Sequence, residues 1–224
     1  MTREISSTGD RSERDGALVA YFGYGSLVNR ATHRTAIVEA MPARLAGWRR
    51  FWRARPDMPG FPAALLTVRS EADAACDGLL VVDRAENLAA VDAREARYRR
   101  VRLSSEALDL GGVLPRDCPV YVYEAVADLP LHPEPPKILR SYLDAVMQGF
   151  LIEHGEDGLQ RLVAETDGFD TPIHDDRHAP VYPARMRSNS PRSTASWPGA
   201  DTRPRPGRGP NRAGWGGRAR NLPV

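Results

Sequence analysis

The stretch 19–27, which reads Val-Ala-Tyr-Phe-Gly-Tyr-Gly-Ser-Leu, constrains this chain more than any other. A short apolar run bounded by glycines, at 17–22, predicts a buried central strand. The two glycines that follow permit backbone conformations that other residues resist, and Ser26 suits the start of a helical turn over 27–30. We therefore predict a strand, a tight loop and a turn with exposed N–H groups.

The sequence allows two interpretations of this loop. The loop lacks the Gly-Lys-Ser/Thr spacing of a phosphate loop and the three-glycine dinucleotide pattern. One interpretation is an ordinary glycine turn. The other is a nest of backbone N–H groups that holds a carboxylate, or a carbonyl that is becoming an oxyanion.

A second candidate feature is an acidic residue on an apolar helical face. The period of residues 84–98 predicts a helix with one apolar side. That side carries Leu88, Val91, Glu95 and Tyr98. Burial of a carboxylate costs free energy unless the group is paired, hydrogen-bonded or neutral. A buried Glu95 would have a raised pKa and could move a proton, whereas the alternative is an ordinary glutamate on a solvated helix.

The other patterns predict an α+β domain with a mixed or antiparallel sheet. Apolar or alternating runs predict strands at 43–54, 63–68, 78–82, 101–108 and 119–126. Apolar stripes predict helices at 137–154 and 157–166. Composition predicts a disordered leader at 1–16, a folded domain at 17–183 and a disordered Arg/Pro/Gly-rich tail at 184–224.

The positive charge of the chain lies at one end. Residues 185–224 carry nine Arg against one Asp, a net charge of +8, which leaves −6 for residues 1–184 in the formal total of +2. A mildly acidic body with a basic tail is not a basic nucleic-acid-binding domain. We expect no nucleic-acid partner, with nonspecific binding by the basic tail as the rival interpretation; a shifted reading frame in GC-rich DNA would also give such a tail.

The start of the chain is polar and has no apolar run of signal-peptide or membrane length. We therefore predict a cytoplasmic protein without a membrane partner. In that compartment Cys76 and Cys118 are expected to be two buried free thiols, with a disulfide as the alternative.

The sequence offers little for metal or covalent chemistry. His174 and His178 lie four residues apart, but the flanking Pro172 and Pro180 disfavour the helix that would put both on one face. We predict a hydrogen-bonded surface loop there and no metal site. Nucleophile motifs are also missing from the sequence. An enzyme of this sequence is expected to work without a covalent intermediate, a metal or a cofactor.

Five motifs in chain order resemble the gamma-glutamylcyclotransferase-like proteins, over about residues 18–155. The motifs are the strand ending in Tyr24-Gly25-Ser26-Leu27, the strand 77–82 that contains Gly78, the segment 92–98, the strand with Tyr121 and Tyr123, and the helix 141–149. The resemblance implies a small mixed β-barrel flanked by helices, with a cavity at the end of the first strand.

The resemblance also implies roles for particular residues. The backbone N–H groups of Tyr24, Gly25, Ser26 and Leu27 would cradle a γ-glutamyl group, and Glu95 would be the essential acid–base residue. Tyr98, Tyr123 and Tyr142 are candidate cavity-lining positions. Arg97 departs from the small residues often found near the glutamate, and residues 157–183 lie outside the shared core, so the substrate is left open.

The implied reaction is the cleavage of a small-molecule γ-glutamyl amide. The α-amine of the substrate would attack its own γ-carbonyl and release 5-oxoproline with a free amine or amino acid. The alternative is a non-catalytic binding or regulatory module for a γ-glutamyl-like ligand on the same fold.

Overall fold

The apolar run that opens the domain forms strand β1, Leu18–Gly23, which is buried from its second residue onward. The computed structural model describes residues 16–55, 61–128 and 132–182. The predicted tail at 184–224, and all of the predicted leader except Gly16, lie outside these residues.

The described chain alternates strands with short helices. The further strands are β2 (Glu39–Ala54), β3 (Ala63–Arg84), β4 (Tyr98–Leu103), β5 (Leu108–Leu110), β6 (Val120–Ala125), β7 (Lys137–Leu139), β8 (Thr166–Asp167) and β9 (Ile173–His174). The α-helices are α1 (Leu88–Arg94) and α2 (Arg140–Ala164). Short 3-10 helices cover Ser26–Val28, Arg30–Thr32, Ala85–Asn87 and Ser105–Ala107.

The strands form one mixed sheet in the order β4-β6-β1-β3-β2-β5. β1 pairs with β3 in antiparallel and with β6 in parallel orientation. The short strands β7 and β8 add parallel pairs to β3 and β2, and β9 pairs with β7. The predicted α+β class with a mixed sheet is confirmed.

The two strands predicted at 63–68 and 78–82 are one continuous strand, β3. The prediction was wrong because pairing with β2 passes from Ser70 to a new register at Ala75 and Cys76, while the strand itself continues through the polar residues between them. A bulge at Gly47, where φ is +78°, absorbs the register shift between the two long strands. β3 is therefore one strand, although its apolar pattern is interrupted between the two apolar runs.

Three further predicted boundaries differ from the structure. The helix predicted over 84–98 ends at Arg94, because pairing with β6 begins at Tyr98 and draws the chain into β4. The strand predicted over 101–108 stops at Leu103, where Ser104 caps a 3-10 helix. The first residues of the helix predicted over 137–154 pair as β7 with β3 instead.

The core lies between the sheet and α2. Residues 79–82 of β3 are fully buried, and α2 contributes Val146 and Phe150 to the same cluster. α2 breaks at Gly155, where φ is +67°, so the two helices predicted on either side of this residue are confirmed. Cys76 and Cys118 are both free and buried, as predicted.

Gly78, the one glycine of β3, is expected to tolerate a side chain poorly. A Cβ at this position would lie under 3.0 Å from the Gly23 carbonyl oxygen and from the Phe22 ring. Gly78→Ala should lower the free energy of unfolding by about 1–3 kcal/mol, the usual cost of overpacking. Urea denaturation measures it, with Gly16→Ala as the control because a Cβ there meets nothing within 4 Å. Equal stability of the two variants would contradict the prediction.

Candidate active site

A cavity of about 280 Å³ opens where β1 ends. All eight residues predicted as site residues line it: Tyr24, Gly25, Ser26, Leu27, Glu95, Tyr98, Tyr123 and Tyr142. Part of this convergence follows because β1 and β6 pair in parallel, which places the ends of both strands at the same edge of the sheet. There the Tyr24 hydroxyl donates a hydrogen bond to the Tyr123 carbonyl oxygen.

The loop after β1 is anchored on α2 through Asn29. The Asn29 side chain is buried, and its Nδ2 donates to the Ala145 carbonyl oxygen at 2.9 Å and to Gln148 Oε1 at 3.0 Å. This contact needs a glycine on the helix, because a Cβ at Gly149 would lie 2.6 Å from the Asn29 nitrogen. The loop therefore has a fixed position against the helix.

The turn that begins at Ser26 lies on the cavity wall. The Val28 N–H bonds back to the Gly25 carbonyl and the Asn29 N–H to the Ser26 carbonyl. The preceding N–H groups, those of Ser26 and Leu27, have no acceptor inside so short a turn. Gly25 leaves no room for a side chain, since a Cβ there would lie 2.8 Å from the Tyr142 hydroxyl oxygen.

A buried guanidinium supports the loop from below. Arg50 of β2 is fully buried, and its Nη1 donates to the carbonyl oxygens of Tyr24 at 3.1 Å and Asp77 at 2.9 Å. Its Nε donates to Thr166 Oγ1 at 2.7 Å, and its Cζ lies 4.8 Å from the centre of the Phe150 ring. The loop carbonyl is thus tied to the interior of the sheet.

Glu95 lies at the turn between α1 and β4, not within a helix as the periodicity predicted. Its N–H donates to the Val91 carbonyl and closes the last turn of α1, and its own carbonyl accepts from the Tyr98 N–H at 2.8 Å. These two backbone bonds fix the residue between a helix and a strand. The side chain nevertheless enters the cavity, as the resemblance implied.

Opposing effects act on the Glu95 carboxyl. Its side chain is 17% exposed, and burial raises its pKa above the ordinary value. Arg94, whose Nε lies 3.2 Å from Glu95 Oε1, favours the charged form, as do Arg55 and Arg34 more weakly. Desolvation prevails over the three arginines, so Glu95 binds a proton more tightly than an exposed glutamate does.

The cavity tyrosines are neutral hydrogen-bonding groups. Burial, with the nearby Glu95 charge as a smaller cause, raises the pKa values of Tyr24 and Tyr98. The pKa of Tyr142 is also raised, first by burial and then by neighbouring ionisable groups. The Tyr98 hydroxyl donates to the Leu66 carbonyl oxygen at 3.0 Å. The Tyr24 and Tyr98 hydroxyl protons are therefore both used in hydrogen bonds to backbone carbonyl oxygens.

Three arginines that the sequence analysis did not single out also line the cavity: Arg34, Arg55 and Arg94. Arg94 is held by the Thr32 carbonyl oxygen, which accepts from its Nη1 at 2.8 Å. Its position directly before Glu95 was the only sequence feature that could have identified Arg94 as a site residue. The others follow no motif, because the cavity assembles from segments distant in sequence.

Residues beyond the shared core complete the cavity wall. Val181 and Tyr182 line it, and the Tyr182 ring packs edge-on against Tyr142 with 5.0 Å between centroids. The segment is held by the buried Asp176 carboxylate, which accepts from the Ser141 N–H at 2.8 Å and the Val181 N–H at 2.9 Å. The segment 157–183 thus contributes to the site.

The histidine loop that carried the metal alternative is largely exposed, with Asp176 as its buried residue. The His174 ring lies 4.7 Å, between centroids, from the Phe61 ring, and Asp176 between the two histidines is occupied by hydrogen bonds. Within residues 16–55, 61–128 and 132–182, no group of three or more His, Cys, Asp or Glu side chains is arranged to hold a metal ion.

A family model described as gamma-glutamyl cyclotransferase, AIG2-like, matches residues 21–138. The chain belongs to this family. The match covers the loop after β1, Glu95 and both β6 tyrosines, so the family core contains most of the cavity. Family membership supports a cyclotransferase role and, with it, an enzyme acting on small γ-glutamyl substrates.

Several solved structures are similar to this chain at low sequence identity. YkqA from Bacillus subtilis is 16% identical with a TM-score of 0.51, and the match covers 72% of this chain and 58% of that one. A gamma-glutamyl cyclotransferase gives 16% identity, a TM-score of 0.46 and coverage of 72% and 96%. A yeast gamma-glutamyl cyclotransferase specific to glutathione is 16% identical with a TM-score of 0.41, and the match covers 70% of this chain and 92% of that one. A comparison with curated proteins found no match.

None of the helices in the described part of the chain combines the length and apolar character needed to cross a membrane.

The raised pKa of Glu95 predicts a pH-dependent cost to stability. Because the folded state holds this proton more tightly, stability falls as pH rises above the unfolded value of about 4.3. Glu95→Gln removes this titration, so the stability of the variant relative to wild type should increase as pH rises above about 4. Chemical denaturation at several pH values measures the difference, with the exposed Glu86→Gln as control. A difference that stays constant with pH would contradict the raised pKa.

The Asp176 carboxylate is expected to hold the C-terminal wall of the cavity. Asp176→Ala leaves the buried donors of Ser141, together with the Val181 N–H, without their acceptor and should lower the free energy of unfolding by about 1–3 kcal/mol. The matched control is the neighbouring Asp175→Ala, because Asp175 is exposed and pairs with Arg177. That change should stay within about 0.5 kcal/mol. Urea denaturation compares them, and similar losses in both would disprove the role of Asp176.

Proposed function

We propose that the chain is a cyclotransferase that cleaves a γ-glutamyl amide and releases 5-oxoproline with a free amine or amino acid. The Glu95 carboxyl is buried, its pKa is raised, and it lines the same cavity as the loop after β1. This observation carries the proposal. Family membership supports the reaction class.

The substrate brings its own nucleophile to this reaction. The Glu95 carboxylate takes a proton from the α-ammonium, and the freed amine attacks the γ-carbonyl carbon to close a five-membered ring. The bond from that carbon to the leaving nitrogen then breaks as Glu95 returns the proton to the nitrogen. Attack leaves a second proton on the ring nitrogen, which the Glu95 carboxylate, free again, accepts and passes to the released amine. All protons are then accounted for without water, an enzyme nucleophile or a cofactor.

The protein's remaining tasks are geometric and electrostatic. Ring closure needs the substrate folded so that the amine meets its own carbonyl. We assign to the N–H groups of Gly25, Ser26 and Leu27 the binding of the γ-carbonyl oxygen as negative charge develops on it. Tyr98, Tyr123 and Tyr142 are proposed to shape the space around the folded substrate.

Glu95→Gln is the direct test of the proposed role. The variant keeps the shape of the side chain but cannot take the ammonium proton, so 5-oxoproline release should fall by about 10²–10⁴-fold. The assay is mass-spectrometric detection of 5-oxoproline from γ-glutamyl amino acids, γ-glutamyl amines and glutathione. Glu86→Gln, an exposed glutamate outside the cavity, should turn over like wild type. Full turnover by Glu95→Gln would overturn the assignment.

The same panel separates catalysis from binding. A folded wild-type protein that binds these compounds yet releases no 5-oxoproline would be a non-catalytic binding module on this fold.

We keep the cytoplasm as the expected compartment, a proposal supported by the two buried free thiols, Cys76 and Cys118. No nucleic-acid partner is proposed.

A further inference from the structure

The peptide groups of the loop after β1 are held by their carbonyl oxygens. The proposed function gives the N–H groups of residues 25–27 the task of binding the γ-carbonyl oxygen. Because a peptide unit is planar and trans, each N–H points away from the carbonyl of the residue before it. The Tyr24 carbonyl accepts from Arg50, and the Gly25 carbonyl accepts from the Val28 N–H. Each of these contacts therefore fixes the direction of the N–H that follows.

Thr32 supplies the side-chain contact to the third carbonyl, that of Ser26. Its Oγ1 lies 2.8 Å from the Ser26 carbonyl oxygen and 2.9 Å from the Asn29 carbonyl oxygen. A threonine hydroxyl has one proton, which these two oxygens share. The Asn29 N–H donates to the same Ser26 oxygen at 3.0 Å. One side chain and one backbone group thus hold the peptide unit that carries the Leu27 N–H.

Arg94 fixes the direction of the Thr32 hydroxyl and connects it to Glu95. Its Nη2 donates to Thr32 Oγ1 and to Ser26 Oγ, each at 3.3 Å, and its Nη1 donates to the Thr32 carbonyl oxygen at 2.8 Å. A guanidinium is a donor only, so the Thr32 proton points away from it and toward the loop carbonyls. Arg94 Nε also lies 3.2 Å from Glu95 Oε1. A chain of contacts therefore runs from the Glu95 carboxyl to the Leu27 peptide.

We propose that Thr32 is a positioning residue, which holds the Leu27 peptide for the γ-carbonyl oxygen and is tied through Arg94 to Glu95. This inference rests on the proposed cyclotransferase function. Proton transfer and charge development occur on the same folded substrate, so the glutamate and the loop must keep one relative position. The link between Thr32 and Arg94 joins these two distant segments of the chain.

The test replaces the Thr32 hydroxyl with a methyl group of similar size. Thr32→Val should lower kcat about 10- to 100-fold with little change in KM, because a misdirected donor weakens binding of the transition state more than of the substrate. Thr32→Ser restores the hydroxyl and should keep most of the wild-type kcat. The assay measures 5-oxoproline with the compound that wild type cleaves best among γ-glutamyl amino acids, γ-glutamyl amines and glutathione.

Thr35→Val is the matched control. Thr35 is half-buried like Thr32, but its hydroxyl donates to Asp83 Oδ2 at 2.7 Å and does not line the cavity. This variant should keep the wild-type kcat. Wild-type kcat in a folded Thr32→Val protein, a change in KM alone, or equal losses in Thr32→Ser or Thr35→Val would overturn the proposal.

Arg94→Lys tests the link to Glu95 and does not depend on the folding of Thr32→Val. Lysine keeps the positive charge beside Glu95 but lacks the fork that reaches both Thr32 and Ser26. The variant should lower kcat about tenfold or more. Thr32→Val combined with Arg94→Lys should lose little more than the poorer single variant, because both changes break one chain of contacts. An unchanged kcat in Arg94→Lys, or losses that multiply in the double variant, would refute the link.

Failure of the reaction itself is distinguishable. If wild type releases no 5-oxoproline from any of these compounds, the proposed function is wrong, and amide hydrogen exchange of the whole chain then decides the role of Thr32. The Asn29 N–H shares the Ser26 carbonyl oxygen with the Thr32 hydroxyl. Thr32→Val should speed exchange of this N–H about tenfold, the worth of one hydrogen bond, whereas Thr32→Ser and Thr35→Val should not. Unchanged exchange in Thr32→Val would refute the positioning role.

Discussion

The candidate site depends on one buried positive charge. The guanidinium of Arg50 lies inside the domain, and its hydrogen bonds reach Tyr24, Asp77 and Thr166. An ionised group is expensive to bury unless such acceptors surround it. Burial accordingly lowers the pKa of Arg50. The segments that supply the acceptors must converge for the fold to hold, and one of them is the loop that borders the cavity. The interaction that stabilises the interior therefore also positions the loop.

Glu95 illustrates the opposite balance. Removal from water raises the pKa of its carboxyl, and Arg94, Arg55 and Arg34 lower that pKa without offsetting the whole rise. A group in this position takes a proton readily and is still able to give it back, which is the requirement for acid–base work on one substrate. A carboxyl kept in such surroundings lowers the stability of the folded state, a cost that is common at functional sites.

Sequence patterns predicted β1, β6, the loop between Gly23 and Ser26 and the break of α2, because these depend on local apolar runs and glycines. Glu95 was identified for a reason that proved incorrect, since the helix ends before it and pairing with β6 takes over. The continuous β3 was missed because pairing with β2 resumes at Ala75 beyond a polar stretch that interrupts the apolar pattern. Arg34, Arg55 and Tyr182 escaped prediction because only the tertiary fold brings them to the cavity.

The cavity wall at Tyr182 has a consequence for how this protein reaches its native state. The lining residues come from segments nearly the full length of the domain apart, from Ser26 to Tyr182. Contacts so remote in sequence carry the largest loop-closure entropy and form late or only with the complete chain. A fragment that lacks either the loop after β1 or the segment through Tyr182 would not present the complete cavity wall, so ligand affinity reports on completed folding. Local opening of the terminal segment would abolish binding before the sheet unfolds.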